Sequence, residues 1–423
     1  MTTEQKAKQA KLASVICAQI TSDVKNKALY AIAEALQDNA ETIFTANNND
    51  LALAENLPNA VKKRLRFDAA KLEGCVEGLK QLATLGDPNG KVLQKTLLDD
   101  GLILNKVACP IGVIGVVFEA RPDALVQISS LCVKSGNCCL LKGGSETRNT
   151  NKVLFDIVNA ACISAGMPQG CLQLLESRDD VAIMLSLNDC IDLIIPRGSN
   201  AFVRYIMNNT SIPVMGHADG ICHVYVDEFA DIDMAVKVVN DSKTQYVSVC
   251  NAVETLLVHK NIAAKLLPPL ISELNKSNVE ILGCSQTCDI VDVMPASDDD
   301  WKTEYLDYKL SIRIVNSVQE AIDHINTFGS GHTDAIITQD NNRAELFMNA
   351  VDSANVYLNC STRFADGFRY GFGAEVGIST NKIHARGPVG LEGLMIYKYK
   401  LYGNGNIVAD YADGTKKFKH KAI

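Results

Sequence analysis

The sequence predicts an α/β protein of two successive domains, each built on a parallel sheet. Two observations predict it. From Ile111 to Asn208 short apolar runs alternate with segments of helical spacing, and from His223 to Ile337 the alternation begins again. Strands alternating with helices make βαβ units, whose parallel strands are joined by crossover helices. A chain of 423 residues, 47% of them apolar, has material for two cores, since one core stops growing at about 250–300 residues.

The elements follow in order. Residues 1–85 read as helices: Ala10 to Gln37 and Ala40 to Leu82 are rich in Ala, Leu, Lys and Glu at helical spacing, and Pro58 is expected to break the second run. Gly86-Asp-Pro-Asn-Gly90 is a turn cluster. Leu97 to Val107 alternates weakly, like an exposed or edge strand. Strands are then expected at Ile111–Phe118, Cys138–Leu141, Cys171–Leu175 and Ile191–Ile195. Helices are expected between and after them, at Asp123–Lys134, Asn149–Ser164, Asp180–Leu187 and Asn200–Asn208. The second set has strands at His223–Val226, Val279–Leu282, Ser311–Val315 and Asp334–Ile337, with helices at Ile232–Asp241, Val253–Lys276 and Val318–Thr327. Phe364 to Gly393 is glycine-rich and shows little periodicity, the mark of a functional or mobile segment.

Charge and composition exclude several classes. A net charge of -8 argues against nucleic acid or an anionic membrane as partner, because both attract basic faces. No apolar run approaches the ~20 residues that span a bilayer. The polar start, with Lys6, Lys8 and Lys11, lacks a signal peptide's apolar stretch, so a cytoplasmic protein is expected. The 14 cysteines are scattered through apolar stretches and read as reduced, buried thiols. Cys284 and Cys288 are the one spaced pair, with no second pair or histidine at zinc-ligand spacing, so no metal is expected.

Three segments could carry chemistry. Cys250 lies between a polar segment and the apolar run Val253-Glu-Thr-Leu-Leu-Val258, read as a helix. A cysteine at a helix start has a lowered pKa, and the free N–H groups there can hold an oxyanion. Position alone does not separate it from the 13 other cysteines. Arg197-Gly198-Ser199 ends a strand and opens a helix, which suits a pyrophosphate or a plain capping turn. Lys142-Gly143-Gly144-Ser145-Glu146 suits a phosphate or ribose, or a surface turn.

Four ordered motifs join these pieces: Pro110-Ile-Gly112-Val-Ile-Gly115-Val-Val-Phe-Glu119-Ala-Arg121-Pro122, Cys250-Asn-Ala-Val-Glu-Thr-Leu, Gly329-Ser-Gly331-His332-Thr333-Asp334, and the stretch from Glu375 to Leu391. Through them the chain resembles the aldehyde dehydrogenase superfamily from about Ala10 to Gly405, and most closely its members that reduce γ-glutamyl phosphate. The resemblance implies a Rossmann-like cofactor domain (1–92 and 108–222), an α/β catalytic domain (223–390) and a small β oligomerisation flap (93–107 and 391–423). It implies that Cys250 is the nucleophile and that Glu304 holds the nicotinamide ribose. Lys142, Gly143, Ser145, Glu146, Arg197, Gly198 and Ser199 fall to the cofactor.

The departures point to the leaving group. Where aldehyde dehydrogenases carry the glutamate that activates hydrolytic water, this chain has His217, so hydrolysis of a thioester is not provided for. Where they carry an asparagine, it has Arg121, which suits a phosphate or carboxylate. Ser145 stands where related reductases often carry lysine, which leaves the 2′-phosphate contact unassigned.

The implied reaction is NADPH-dependent reduction of γ-glutamyl phosphate to glutamate semialdehyde through a Cys250 thioester, the second step of proline biosynthesis. Asn251 or Arg121 would support the oxyanion, and His217 would donate a proton or be satisfied by backbone. Arg363 and Arg386 are candidates for phosphate or the substrate carboxylate, as are Arg369 and Lys382, although solvated surface charge is the alternative for each. Glu254 is expected in a structural ion pair, and His332 and Asp334 receive no role. A homo-oligomer is expected, and a separate glutamate 5-kinase would supply the acyl phosphate. The rival readings are a CoA-acylating aldehyde dehydrogenase and an inactive scaffold.

Overall fold

The computed structural model describes residues 1–423 except Glu55, Pro58, Arg178 and Gly373, so the break expected at Pro58 lies outside the described residues. The chain folds as two compact units. The first comprises Met1–Met215, Phe372–Gly377 and Val389–Ile423. It opens on helices Thr3–Cys17, Ser22–Asp38, Ala40–Leu53 and Ala69–Thr84. The first begins two turns earlier than the apolar spacing suggests, because Thr2 and Gln5 form a reciprocal capping box.

The strand expected at Leu97–Val107 is a hairpin: β1 (Val92–Asp99) runs antiparallel to β2 (Leu102–Pro110). Met395–Tyr402 pairs with the free edge of β2 and Lys421–Ala422 with β1, giving a four-stranded sheet.

A second sheet of this unit has β3 (Val113–Phe118), β4 (Cys138–Gly143), β5 (Leu172–Leu175) and β6 (Leu193–Arg197) in the parallel order β5-β4-β3-β6. All six residues of β3 and of β4 are buried, which is why both read as unbroken apolar runs. The linking helices are Pro122–Ser135, Arg148–Ser164 and Asp179–Ser186, and Asn200–Asn208 follows β6. Buried Asp50 fixes one of them: its carboxylate accepts from Thr150 N at 2.8 Å and Thr150 Oγ1 at 2.6 Å at the start of Arg148–Ser164.

The second unit comprises Gly216–Gly371 and Ile378–Pro388. Its strands are β7 (Cys222–Val226), β8 (Val253–His259), β9 (Glu280–Gly283), β10 (Met294–Pro295), β11 (Lys309–Val315), β12 (Thr333–Ile337) and β13 (Asn355–Leu358). They form one parallel sheet in the order β10-β9-β11-β8-β7-β12-β13.

Side chains alternate across it. Val224, Val226, Leu256 and Val258 pack on one face with Leu266, Leu270 and Val239, while Tyr225 and Leu257 pack on the other with Ile322 and Phe347.

One expectation fails here. The helix expected at Val253–Lys276 is strand β8 followed by helix Lys260–Asn275. All seven residues of β8 are buried. A strand covered on both faces has no polar alternation to separate it from a buried helix, and the true helix begins only at the His259 cap, whose side chain accepts from Asn261 N. Helix Asn341–Ala350 and β13 were not expected. Among the described residues no helix is long and apolar enough to cross a membrane.

Candidate active site

Three side chains converge at the amino-terminal edge of the second unit's sheet. β8, β7 and β12 are neighbours in that sheet, and the loop entering each delivers one residue: Cys250 ahead of β8, His217 ahead of β7 and His332 directly ahead of β12. Ligands of open parallel sheets ordinarily sit at the carboxyl ends of the strands. Here the loops entering at the amino edge are pinned to one another and to the segment that carries Glu304. Gly220 N donates to Glu304 Oε1 at 2.9 Å, and Ile221 N donates to Ser330 Oγ at 2.9 Å. Gly220 lies so close to the cysteine that a Cβ there would stand 2.1 Å from the Cys250 carbonyl oxygen. Any side chain at that position would push the two loops apart.

A ring nitrogen of His217, one of His332 and Cys250 Sγ all lie within 4.8 Å of one another. The two imidazoles meet edge to face, with centroids 4.7 Å apart. His217 Nδ1 is 2.7 Å from the Ile378 carbonyl oxygen, so that nitrogen carries the proton and Nε2 is the one turned to the thiol. His332 Nδ1 is 2.8 Å from Thr333 Oγ1, and its buried Nε2 has no hydrogen-bond partner among the described residues.

Burial would raise the Cys250 thiol, but the charges of His332 and His217 outweigh it and hold the thiol well below its ordinary value. Burial likewise disfavours an imidazolium at His217, yet the Cys250 thiolate, a hydrogen bond to it and the Ile378 carbonyl lift that ring to about 9. Cys250 and His217 thus form a thiolate–imidazolium pair. The helix dipole expected to activate the cysteine is absent, because a strand follows it, and two imidazoles act instead. His332 is the residue that sequence reasoning missed. Its Gly-Ser-Gly-His-Thr setting was visible, but nothing in it showed that β12 lies beside β7.

The surroundings hold this arrangement. Asn251 is buried; its Nδ2 donates to Ala365 O at 2.8 Å, and its carbonyl accepts from Thr362 Oγ1 at 2.7 Å. Arg363 is buried in the same unit, donates through Nε to Gln245 Oε1 at 3.0 Å and feels the Cys250 charge. Glu254 pairs with Lys243 at 2.6 Å with both side chains fully buried, so the ion pair expected of it exists, on a strand rather than a helix. Burial, only partly offset by Lys243, raises the Glu254 carboxyl to about 7. Arg386 binds the Asp352 carbonyl and carboxylate at 2.9 and 3.1 Å, beside the Lys382–Asp352 pair. His223, whose N–H and ring both reach Asp334 Oδ1, shows Asp334 to be a strand-linking group.

In the first unit the candidate cofactor residues gather at the carboxyl ends of β4 and β6. Lys142 and Gly143 end β4, and Ser145 and Glu146 form the turn after it. A Cβ on Gly143 would stand 2.0 Å from Asn151 Nδ2, so the backbone there passes against its neighbour. Arg197 ends β6, and Ser199 is the N-cap of Asn200–Asn208 with its hydroxyl making no capping bond. The Ser199 N–H donates to Glu119 Oε2 at 2.9 Å, so the chain's own carboxylate sits at that helix start, next to Gly198. Glu146 Oε1 accepts from Ala120 N at 2.6 Å, and Ala120 holds a left-handed φ of 49°. A left-handed alanine is strained. Arg121 stands at the N-cap position of the helix Pro122–Ser135 just after it, and its side chain makes no capping bond. An ammonium, a carboxylate and a hydroxyl that makes no capping bond are groups of the kind that bind ribose hydroxyls.

Comparison with known proteins agrees with this chemistry. The model of the aldehyde dehydrogenase family matches residues 2–287. The gamma-glutamyl phosphate reductase of Acetivibrio thermocellus is 61% identical, over 100% of this chain and 99% of that protein. That of Methanosarcina mazei is 51% identical, over 99% and 97%. The crystal structure of gamma-glutamyl phosphate reductase from Thermotoga maritima superposes with a TM-score of 0.94 at 39% identity, covering 96% of this chain and 100% of that one. An acetylating aldehyde dehydrogenase from Geobacillus thermoglucosidasius shares the fold, with a TM-score of 0.66 at 17% identity over 96% and 97%. The chain belongs to the aldehyde dehydrogenase family and, within it, to the gamma-glutamyl phosphate reductases.

Proposed function

We propose that this protein reduces γ-glutamyl phosphate to glutamate 5-semialdehyde with release of phosphate, the second step of proline biosynthesis, through a thioester on Cys250. The observation that carries the reading is the Cys250–His217 pair. It supplies a thiolate near neutral pH, and it puts an imidazole where a hydrolytic dehydrogenase has a carboxylate base.

The Cys250 thiolate attacks the acyl carbon, the C–S bond forms and the bond to phosphate breaks. His217 gives its proton to the departing phosphate. That leaves a neutral imidazole, rather than a carboxylate, facing the thioester. NADPH, when bound by the residues assigned to it below, would supply the hydride. The thiohemiacetal that results expels aldehyde and regenerates the thiolate, and His217 takes a proton back from solvent.

We assign oxyanion support to the Cys250 N–H and the Asn251 amide. Arg121 and Arg363 receive the phosphate and carboxylate charges, and Arg386 acts through Asp352. Lys142, Gly143, Ser145, Glu146, Arg197, Gly198, Ser199 and Glu304 hold the cofactor. A homo-oligomer forms through the antiparallel sheet, whose outer strand exposes Tyr397, Tyr399 and Leu401. A separate glutamate 5-kinase supplies the acyl phosphate.

The test is the reverse reaction. Purified protein with glutamate semialdehyde should reduce NADP only when phosphate is present. Reduction that requires CoA and ignores phosphate would replace this reading with a CoA-acylating one.

A further inference from the structure

We propose that His217, Cys250 and His332 form a binding site for a zinc-class divalent ion, and that the bound metal reversibly blocks the nucleophile. The three residues offer one thiolate and two imidazoles, the donor types such ions select, and their ligand atoms already lie within 4.8 Å of one another. Zinc holds sulfur at about 2.3 Å and nitrogen at about 2.0–2.1 Å, so a tetrahedral site needs these atoms roughly 3.4–3.6 Å apart. About an ångström of closure, within the reach of side-chain torsions, completes it.

Two further observations point to a ligand. Each ring is held from behind in the way metal-bound histidines are held. His217 Nδ1 is fixed by the Ile378 carbonyl and His332 Nδ1 by the Thr333 hydroxyl, so both Nε2 atoms turn inward. His332 is fully buried, and its Nε2 has no hydrogen-bond partner among the described residues. Cys250 itself is only half-buried, which leaves the fourth position to water, as in open zinc sites. Magnesium and calcium, which take oxygen ligands, are not expected to bind.

A metal on Sγ removes the lone pair that attacks the acyl phosphate. Zinc therefore inhibits without touching the cofactor residues, and a chelator restores activity. Only this inhibitory half rests on Cys250 being the nucleophile.

The test uses Co²⁺ as the spectroscopic probe and Zn²⁺ as its competitor, on the whole chain. Co²⁺ should give the visible bands of a tetrahedral site with a sulfur-to-cobalt charge-transfer band, and Zn²⁺ should abolish both. Cys250→Ser should lose the charge-transfer band. His332→Asn should weaken binding by more than the roughly 10–100-fold that loss of a ligand's supporting hydrogen bond costs, and Thr333→Val should fall within that range if His332→Asn does not fold. Zn²⁺ should also protect Cys250 from iodoacetamide in the wild type. No cobalt bands, or bands unchanged in both Cys250→Ser and the histidine-side variants, overturn the proposal. Cobalt bands with full reductase activity uphold the site and instead remove Cys250 as the nucleophile.

Discussion

The Nδ1 of His217 lies 2.7 Å from the carbonyl oxygen of Ile378, and that bond turns the other ring nitrogen toward Cys250. A neutral carbonyl behind an imidazole orients it without taking its charge. The ring therefore stays free to carry the proton that the thiol gives up.

Replacing His217 by Asn keeps a donor to Ile378 but removes the group that pairs with the thiolate. Turnover should fall about 10²–10⁴-fold, the usual contribution of a positioned acid–base group. KM for semialdehyde should change little, because the ring is not assigned to binding. Steady-state kinetics of the variant check both.

Alkylation of Cys250 should persist to a lower pH than that of ordinary thiols. A thiol of normal pKa loses about tenfold in reactivity per pH unit below that value. The Cys250 thiol is held well below its ordinary value, so its iodoacetamide rate should begin to fall at a lower pH than that of an ordinary thiol. The upper limb belongs to His217: turnover should fall as the pH rises through about 9, where the imidazolium loses its proton while the thiolate persists. Rates measured across that range, with the modified cysteine located by peptide mapping, check the prediction.

Gly220→Ala should damage the site without altering any reacting group. The added methyl would meet the Cys250 carbonyl oxygen at 2.1 Å, so the loops must separate. Overpacking of this kind costs about 1–3 kcal/mol. The variant should melt lower and show a slower Cys250 alkylation rate, since His217 moves with its loop.

Lys243→Met should be among the most destabilising single changes in the second unit. It leaves Glu254 fully buried without its partner, and stranding half of a buried ion pair costs about 3–5 kcal/mol. The pH dependence of the loss has a definite sign. The Glu254 carboxyl, at about 7 in the fold against 4.5 unfolded, binds its proton more tightly when folded. Its contribution is fully present below pH 4.5 and is lost as pH rises through about 7. Lysine removal takes away a group that lowers that value, so the variant should be least impaired in mild acid. Thermal melts of both proteins from pH 5 to 8 check this.

Much of the fold and part of the site were legible in the sequence. The strands β3 to β7 and their helices announced themselves because apolar runs alternate with amphipathic segments of the right length. Cys250 was legible through an ordered motif, and His217 through its place as a departure, a histidine where aldehyde dehydrogenases carry a glutamate. Three things were not. β8 hid inside a helical assignment because both its faces are buried. The partner of Glu254 could not be named, because Lys243 lies on the helix before the loop and meets it only when β8 is a strand. His332 looked idle because its role depends on β12 lying beside β7, a neighbour relation set by the packing of distant segments.

The central claim is that Cys250 carries the acyl group. It is tested most directly by Cys250→Ser assayed with glutamate semialdehyde, phosphate and NADP, using a melt to confirm that the variant is folded. Loss of NADP reduction to background in the folded variant is the predicted result. A folded variant that still reduces NADP in a phosphate-dependent manner would contradict it.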